Sequence, residues 1–155
     1  LTDESSGGAL VVPATYVPDP RISADNRIDL RIPVRSELRR VARLVMSSVG
    51  ALAGFDVEEI ADLRLAADEL CMAVAAGALD GCRIDLTIRW ADSLIELACS
   101  ASPVGESAEP DDEAAYPAGL DPAHLSEKIL EALADDFAVE PGRGGTRSGW
   151  LRKTR

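Results

Sequence analysis

Apolar and polar positions change their spacing several times along this chain, and each change marks the edge of an element. From Arg27 the pattern alternates, with Ile28, Leu30, Ile32 and Val34 on one face and Arg27, Asp29 and Arg31 on the other. That period of two predicts a half-buried strand. The spacing then lengthens to three and four through Leu38, Val41, Ala42, Val45 and Leu52, which predicts a helix capped by Ser36 and stopped at Gly54. A second, longer helix is predicted from Phe55 to Leu79, with the stripe Ile60, Leu63, Ala67, Leu70, Val74 and Gly77. Asp56 and Glu59 have capping-box spacing at its start, and Phe55 can pack on Ile60 as a hydrophobic staple. After Asp80-Gly81 the alternation returns in Ile84, Leu86, Ile88 and Trp90, and again in Ile95, Leu97 and Cys99 across the turn Ala91-Asp92-Ser93. These two runs predict a hairpin. A third helix begins near Leu120, with Asp121 as cap, Pro122 in the first position and Leu125, Ile129, Ala132 and Leu133 as its stripe. Two last strands, Phe137 to Val139 and Thr146 to Lys153, flank a glycine-rich turn.

Every predicted strand is polar on one face, so helices can cover only one side of the sheet. The expected class is therefore α/β of the α+β kind: a two-layer sandwich with a mixed, mainly antiparallel sheet covered on one face by three helices. Two stretches fall outside this pattern. Residues 1–26 hold Gly7, Gly8, Pro13, Pro18 and Pro20 with no sustained period, and are expected to form a flexible N-terminal tail ahead of a domain over residues 27–155. Residues 101–119 hold Pro103, Pro110 and Pro117 with Glu106, Glu109, Asp111, Asp112 and Glu113, and are expected to form a long acidic loop.

Composition narrows the function. A chain of 155 residues is one domain's worth, and 46% hydrophobic against 4% aromatic residues implies a core of Leu, Ile, Val and Ala. The net charge of -11 argues against direct binding of nucleic acid, whose phosphates favour Lys and Arg. Cys71, Cys82 and Cys99 show no zinc or redox spacing and fit a reducing cytoplasm. No apolar run suits a signal peptide or a membrane span.

The candidate chemistry centres on Glu69. It flanks the apolar stripe of the long helix, with Leu65, Ala66, Met72, Ala73 and Ala76 as its neighbours at helical spacing. Such a carboxylate is a rim residue, is partnered from elsewhere, or is chemically employed, as a general base for example. The cluster Gly142-Arg143-Gly144-Gly145-Thr146 lacks a Gly-Lys-Ser/Thr ending and joins two strands, so it reads as a hairpin turn. His124 stands alone and is expected to be an exposed first-turn residue, which leaves no multi-histidine metal site.

The element order, and above all the run Asp62-Leu63-Arg64-Leu65-Ala66-Ala67-Asp68-Glu69-Leu70-Cys71, resembles the RsbW-type anti-sigma factors, serine kinases with the Bergerat-type ATP-binding fold of histidine kinases and gyrase. The likeness runs from about Arg27 to Lys153, and Leu133-Ala134-Asp135-Asp136-Phe137-Ala138-Val139 echoes the family's helix-to-strand junction. It implies an ATP and magnesium site on the long helix, with Glu69 at the position of the polarising Glu and Ala73 at that of the magnesium-binding Asn. It also implies an adenine-reading Asp after the hairpin, where Ser100 stands, and a nucleotide lid in the acidic loop. Ala73 carries no oxygen ligand, Ser100 replaces the Asp, and Asp121-Pro122-Ala123 replaces the phosphate-approaching glycines. The resemblance thus implies a cytoplasmic anti-sigma factor working mainly by binding, with a sigma factor and an anti-anti-sigma factor as partners in stress-type transcription control. ATP-dependent phosphorylation of the antagonist is the alternative, and an interaction domain with another protein partner is a second one. A homodimer is possible on the same grounds, with no membrane or direct nucleic-acid role.

Overall fold

The computed structural model describes residues 10–35, 39–76, 82–103, 122–142 and 146–155. Its elements run β1 (Arg27–Pro33), α1 (Arg39–Leu52), α2 (Val57–Ala75), β2 (Cys82–Ala91), β3 (Leu94–Pro103), α3 (Pro122–Leu133), β4 (Asp136–Pro141) and β5 (Arg147–Thr154). The five strands form one sheet in the order β1-β2-β3-β5-β4, with every ladder antiparallel. The architecture is thus the α+β arrangement expected from the patterning, consistent with a histidine-kinase-like ATPase fold. The sheet is antiparallel throughout these strands rather than mixed. Two hairpins, β2-β3 and β4-β5, supply half of its ladders, and the second folds back so that β5 pairs with β3 while β4 takes the edge. Among the described residues no helix is long and apolar enough to cross a membrane.

Local chemistry explains the boundaries. The α1 helix ends at Gly54, whose φ of 85° is open to glycine at little cost. The N–H of Phe55 then reaches Gly50 O at 3.0 Å and that of Gly54 reaches Ala51 O at 3.2 Å, the paired bonds of a Schellman ending. Two residues on, α2 opens with the capping box read from the sequence. Glu59 N donates to Asp56 Oδ1 at 2.9 Å, and Asp56 N donates to Glu59 Oε2 at 2.7 Å. Phe55 and Ile60 both pack in the main core. The caps expected from Ser36 and Asp121 lie outside the described residues, as do Gly77 to Gly81, Arg143 to Gly145 and the acidic loop beyond Pro103.

The core fills the space between the helices and one face of the sheet. Leu63, Ala67, Leu70 and Val74 of α2 meet Leu86, Ile88, Ile95, Leu97, Cys99 and Leu151, all with 2% exposure or less. At Gly149 the helix comes close to the sheet. A Cβ there would stand 2.7 Å from Leu70 Cδ1 and 2.9 Å from Ala138 O, so the glycine permits the approach. The third helix is rotated from its expected phase. Leu125 is 60% exposed and Ala132 is also exposed, whereas Ser126 and Leu130 are buried. A serine takes the place of a hydrophobe in the buried stripe, because it has a hydrogen-bond partner there.

The other face of the sheet is covered too, which corrects the expected flexible tail over residues 1–26 for the part the structure describes. Residues 10–26 form an arm that crosses the outer face from β4 to β2. Thr15 binds Glu140 through its hydroxyl and its N–H. Trp150 Nε1 donates to Thr15 Oγ1 at 2.9 Å, and the Tyr16 ring packs with Trp150, Ala98 and Ala138. Arg152 donates to Val17 O at 2.9 Å and Arg89 donates to Ile22 O at 3.2 Å.

Beneath the arm lies Glu96, whose side chain has 0% exposure. It accepts from Tyr16 Oη at 2.6 Å, Asp19 N at 2.9 Å, Arg152 Nη2 at 2.7 Å and Nε at 2.9 Å, and Arg89 Nη1 at 3.3 Å. Register accounts for the arrangement. Arg27, Arg89, Glu96, Arg152 and Asp136 stand opposite one another in turn across all five strands. A buried carboxylate needs paired charge and hydrogen bonds, and here it has both. Burial, followed by the bond to Glu96, pushes the Tyr16 phenol up to about 12. On the arm itself, the Arg21 guanidinium holds the Asp19 carboxyl down at about 2.

Candidate functional site

Helix α2 places Asp68 and Glu69 side by side in sequence, and about 100° per residue of helical rotation sends them to opposite flanks. Asp68 turns to α1, where Arg39 and Arg43 both approach its oxygens at 3.5 Å. Glu69 turns to α3 and accepts a hydrogen bond from Ser126 Oγ at 2.8 Å. The central helix is therefore tied to one neighbour by charge and to the other by a hydroxyl. Of the three roles open to Glu69 from sequence, the geometry supplies a partner from elsewhere. Ser126 was missed because serine does not register in an apolar stripe. Its spacing of four from Leu130 was the available signal.

Leu65 and Met72 stand one turn before and one turn after Glu69, and they are 46% and 39% exposed. With the exposed Leu125 beside Ser126, they put apolar side chains around a hydrogen-bonded carboxylate. Such a surface suits a protein partner, because it combines apolar area with one oriented polar group.

The other two candidate positions do not join this group. Ala73 follows Glu69 by one turn and is fully buried, with a methyl group where a magnesium ligand would need an oxygen. Ser100 lies on β3 between Cys99 and Ala101, both of which belong to the core under the helices. The alternation of a strand therefore sends Ser100 to the outer face, away from Glu69. It is 2% exposed, and its hydroxyl has no hydrogen-bond partner among the described residues. The sequence reading that grouped Glu69, Ala73 and Ser100 in one pocket is thus corrected for Ser100 by strand parity. On β3 the residues that face α2 are Cys99 and Ala101. Burial, reinforced by a hydrogen bond with Cys71, pushes the Cys99 thiol well up. The residues at these positions do not fit the ATP and magnesium ligand set that the resemblance implied. His124 is exposed on the first turn of α3.

No family model matches the chain. Among curated proteins it is similar to the Anti-sigma-F factor RsbW of Mycobacterium tuberculosis, in strains CDC 1551 / Oshkosh and ATCC 25618 / H37Rv. The identity is 26% over 149 residues, covering 88% of this chain and 80% of the relative. That likeness spans both layers of the fold and includes the helix that carries Glu69. Sequence and architecture together make this chain a distant relative of the RsbW-type anti-sigma factors.

Proposed function

We propose that the protein is an anti-sigma factor that acts by binding: it sequesters a sigma factor in the cytoplasm and is released by an anti-anti-sigma partner, in stress or developmental control of transcription. The likeness to an anti-sigma-F factor over 88% of the chain carries this reading. The Glu69 surface supports a binding role over a catalytic one. Its carboxylate is already engaged by Ser126, and Ala73 leaves no oxygen at the neighbouring turn. The acidic balance of -11 complements the basic, DNA-facing surface of a sigma factor, and such complementarity sets partner choice and association rate. The binding unit is taken to be residues 27–155 together with the arm from residue 10.

Co-purification from a host expressing candidate sigma factors tests the proposal. The expected result is a stoichiometric complex that weakens when Leu65 and Met72 are both changed to Ser. No complex with any sigma factor or antagonist would refute it. A second reading, an ATP-dependent serine kinase acting on the antagonist, draws on Glu69 being held in one orientation, as a general base must be. Calorimetry with Mg-ATP separates the two. The binding reading expects no heat at millimolar nucleotide, and micromolar affinity would favour the kinase.

A further inference from the structure

Helix α2 carries a second stripe, on the side away from the core. Glu58, Asp62, Leu65, Glu69, Met72 and the capping Ala76 follow one another at alternating intervals of four and three residues. At about 100° of rotation per residue they fall within about 80° of the helix circumference and run along about five turns. None of the six is buried: Glu58, Asp62, Leu65 and Met72 are exposed, and Glu69 and Ala76 are half-buried. The core stripe of Leu63, Ala67, Leu70 and Val74 takes the opposite side of the helix. Intervals of three and four are the period along which one helix packs on another, and this stripe keeps that period where the helix faces outward.

Its charge has one sign. Glu58, Asp62 and Glu69 are acids, and none of the six residues is a base. The one base on α2, Arg64, is turned about 140° from Glu69. Outside the described residues Arg143 is the only basic side chain in the sequence. Glu69 sits between the two apolar residues, one turn after Leu65 and one turn before Met72. Ser126 Oγ fixes its Oε2 at 2.8 Å, and its Oε1 makes no hydrogen bond among the described residues. A charged group already held in place loses less freedom when a partner engages it. We propose that this stripe is the docking seam for a basic amphipathic helix of a protein partner. Apolar residues of that helix pack on Leu65 and Met72, with Leu125 of α3 beside them, and a Lys or Arg between them donates to Glu69 Oε1. Further basic residues face Asp62 and Glu58. The occupant is a helix because the contact positions recur at helical intervals, and it is basic because the seam is acidic. A second copy of this chain would set the same acids against each other. The proposal rests on the binding reading above and specifies the segment of the partner that is bound.

The test uses the full chain and a fluorescently labelled amphipathic helix of Leu and Lys, about 18 residues long to match the seam. Anisotropy is followed at physiological salt, where diffuse attraction between distant charges is screened. Saturable binding is expected for this peptide, none for its Leu/Glu counterpart, and far weaker binding for poly-lysine of the same length. Glu69→Gln keeps an oxygen for Ser126 but loses the charge, and should weaken binding about fivefold to tenfold, as for a hydrogen bond to a charged group. Changing Leu65 and Met72 together to Ser should weaken it at least as much. Asp92→Asn, at an exposed acid in the β2-β3 turn, should leave it unchanged. No binding to the unaltered chain would overturn the proposal, as would equal affinity for poly-lysine or an equal loss in the Asp92 and Glu69 variants. A chain that pairs with itself through Leu65 and Met72 would overturn it too, by giving the seam to a second copy. The two readings fail separately. Peptide binding with no sigma factor complex sustains the seam and refutes the sigma-factor reading, and a sigma factor complex with a chain that ignores the peptide does the reverse.

Discussion

Replacing Glu96 by Gln should cost more stability than any other single change of equal size in this chain. The substitution keeps the shape but removes the charge that Arg89 and Arg152 face, and their side chains are only 11% and 22% exposed. It also turns an amide N–H₂ toward donors, since Tyr16 Oη, Asp19 N and both guanidiniums all donate to this carboxylate. Breaking a buried pair from one side costs about 3–5 kcal/mol. A domain of this size has about 5–15 kcal/mol of stability in all. At about 2–4 °C per kcal/mol, the thermal midpoint should fall by about 6–20 °C. Circular dichroism and urea titration read the midpoint, and trypsin cleavage after Arg21 reads release of the arm. The other end of the same cross-strand row supplies the control. Asp136 lies 3.9 Å from Arg152 and is 61% exposed, so Asp136→Asn should change stability by no more than about 0.5 kcal/mol. Equal midpoints for the Glu96 and Asp136 variants, with no faster cleavage after Arg21, would refute the assignment of Glu96 as the anchor.

Gly149→Ala should destabilise by about 1–3 kcal/mol, because the added methyl meets Ala138 O and Leu70 at less than 3.0 Å and the backbone must move; a wild-type urea midpoint would contradict this. Asp56→Ala removes the side-chain acceptor for Glu59 N and should cost about 1 kcal/mol, read from the same titration. Tyr16 titrates near 12 in the folded protein against about 10 unfolded, so its contribution is present in full below pH 10 and is lost as the pH rises toward 12. Ultraviolet titration of phenolate in a Tyr116→Phe background should show that late midpoint, and an ordinary one would place Tyr16 in solvent. Cys71, Cys82 and Cys99 are all buried, so a thiol reagent should label none of them until the chain unfolds.

The helical layer was legible because its signals are local. Asp56 and Glu59 lie three residues apart, Gly54 follows its helix at once, and the α2 stripe repeats within single turns. The outer face was not legible, because its logic is distant in sequence. Nothing around Tyr16 indicates that its hydroxyl meets a carboxylate 80 positions later, and a lone Glu between Ile95 and Leu97 reads as the solvent side of a strand. The site divides in the same way. Glu69 could be placed on a flank from helical spacing alone. Its partner Ser126 needed the packing of α3, and the parity of Ser100 needed the register of β3 to be known. A motif aligned by order alone put Ser100 beside Glu69, whereas strand alternation put it on the opposite face.

The anchoring of the arm also sets an order of events during synthesis. Glu96 gathers donors from the arm, β2 and β5, and the bond from Arg152 to Val17 O spans 135 positions. The arm leaves the ribosome before any of these strands, yet its seat on the outer face is complete only after β5 has been made. Until then Trp150 is missing, and Tyr16 has no ring to pack against. Pairings this distant in sequence form late and slowly. A segment made ahead of all five strands is therefore among the last to settle. A chain interrupted before β5 would emerge with the outer face of its sheet bare, a species that chaperones and proteases can tell from the finished protein.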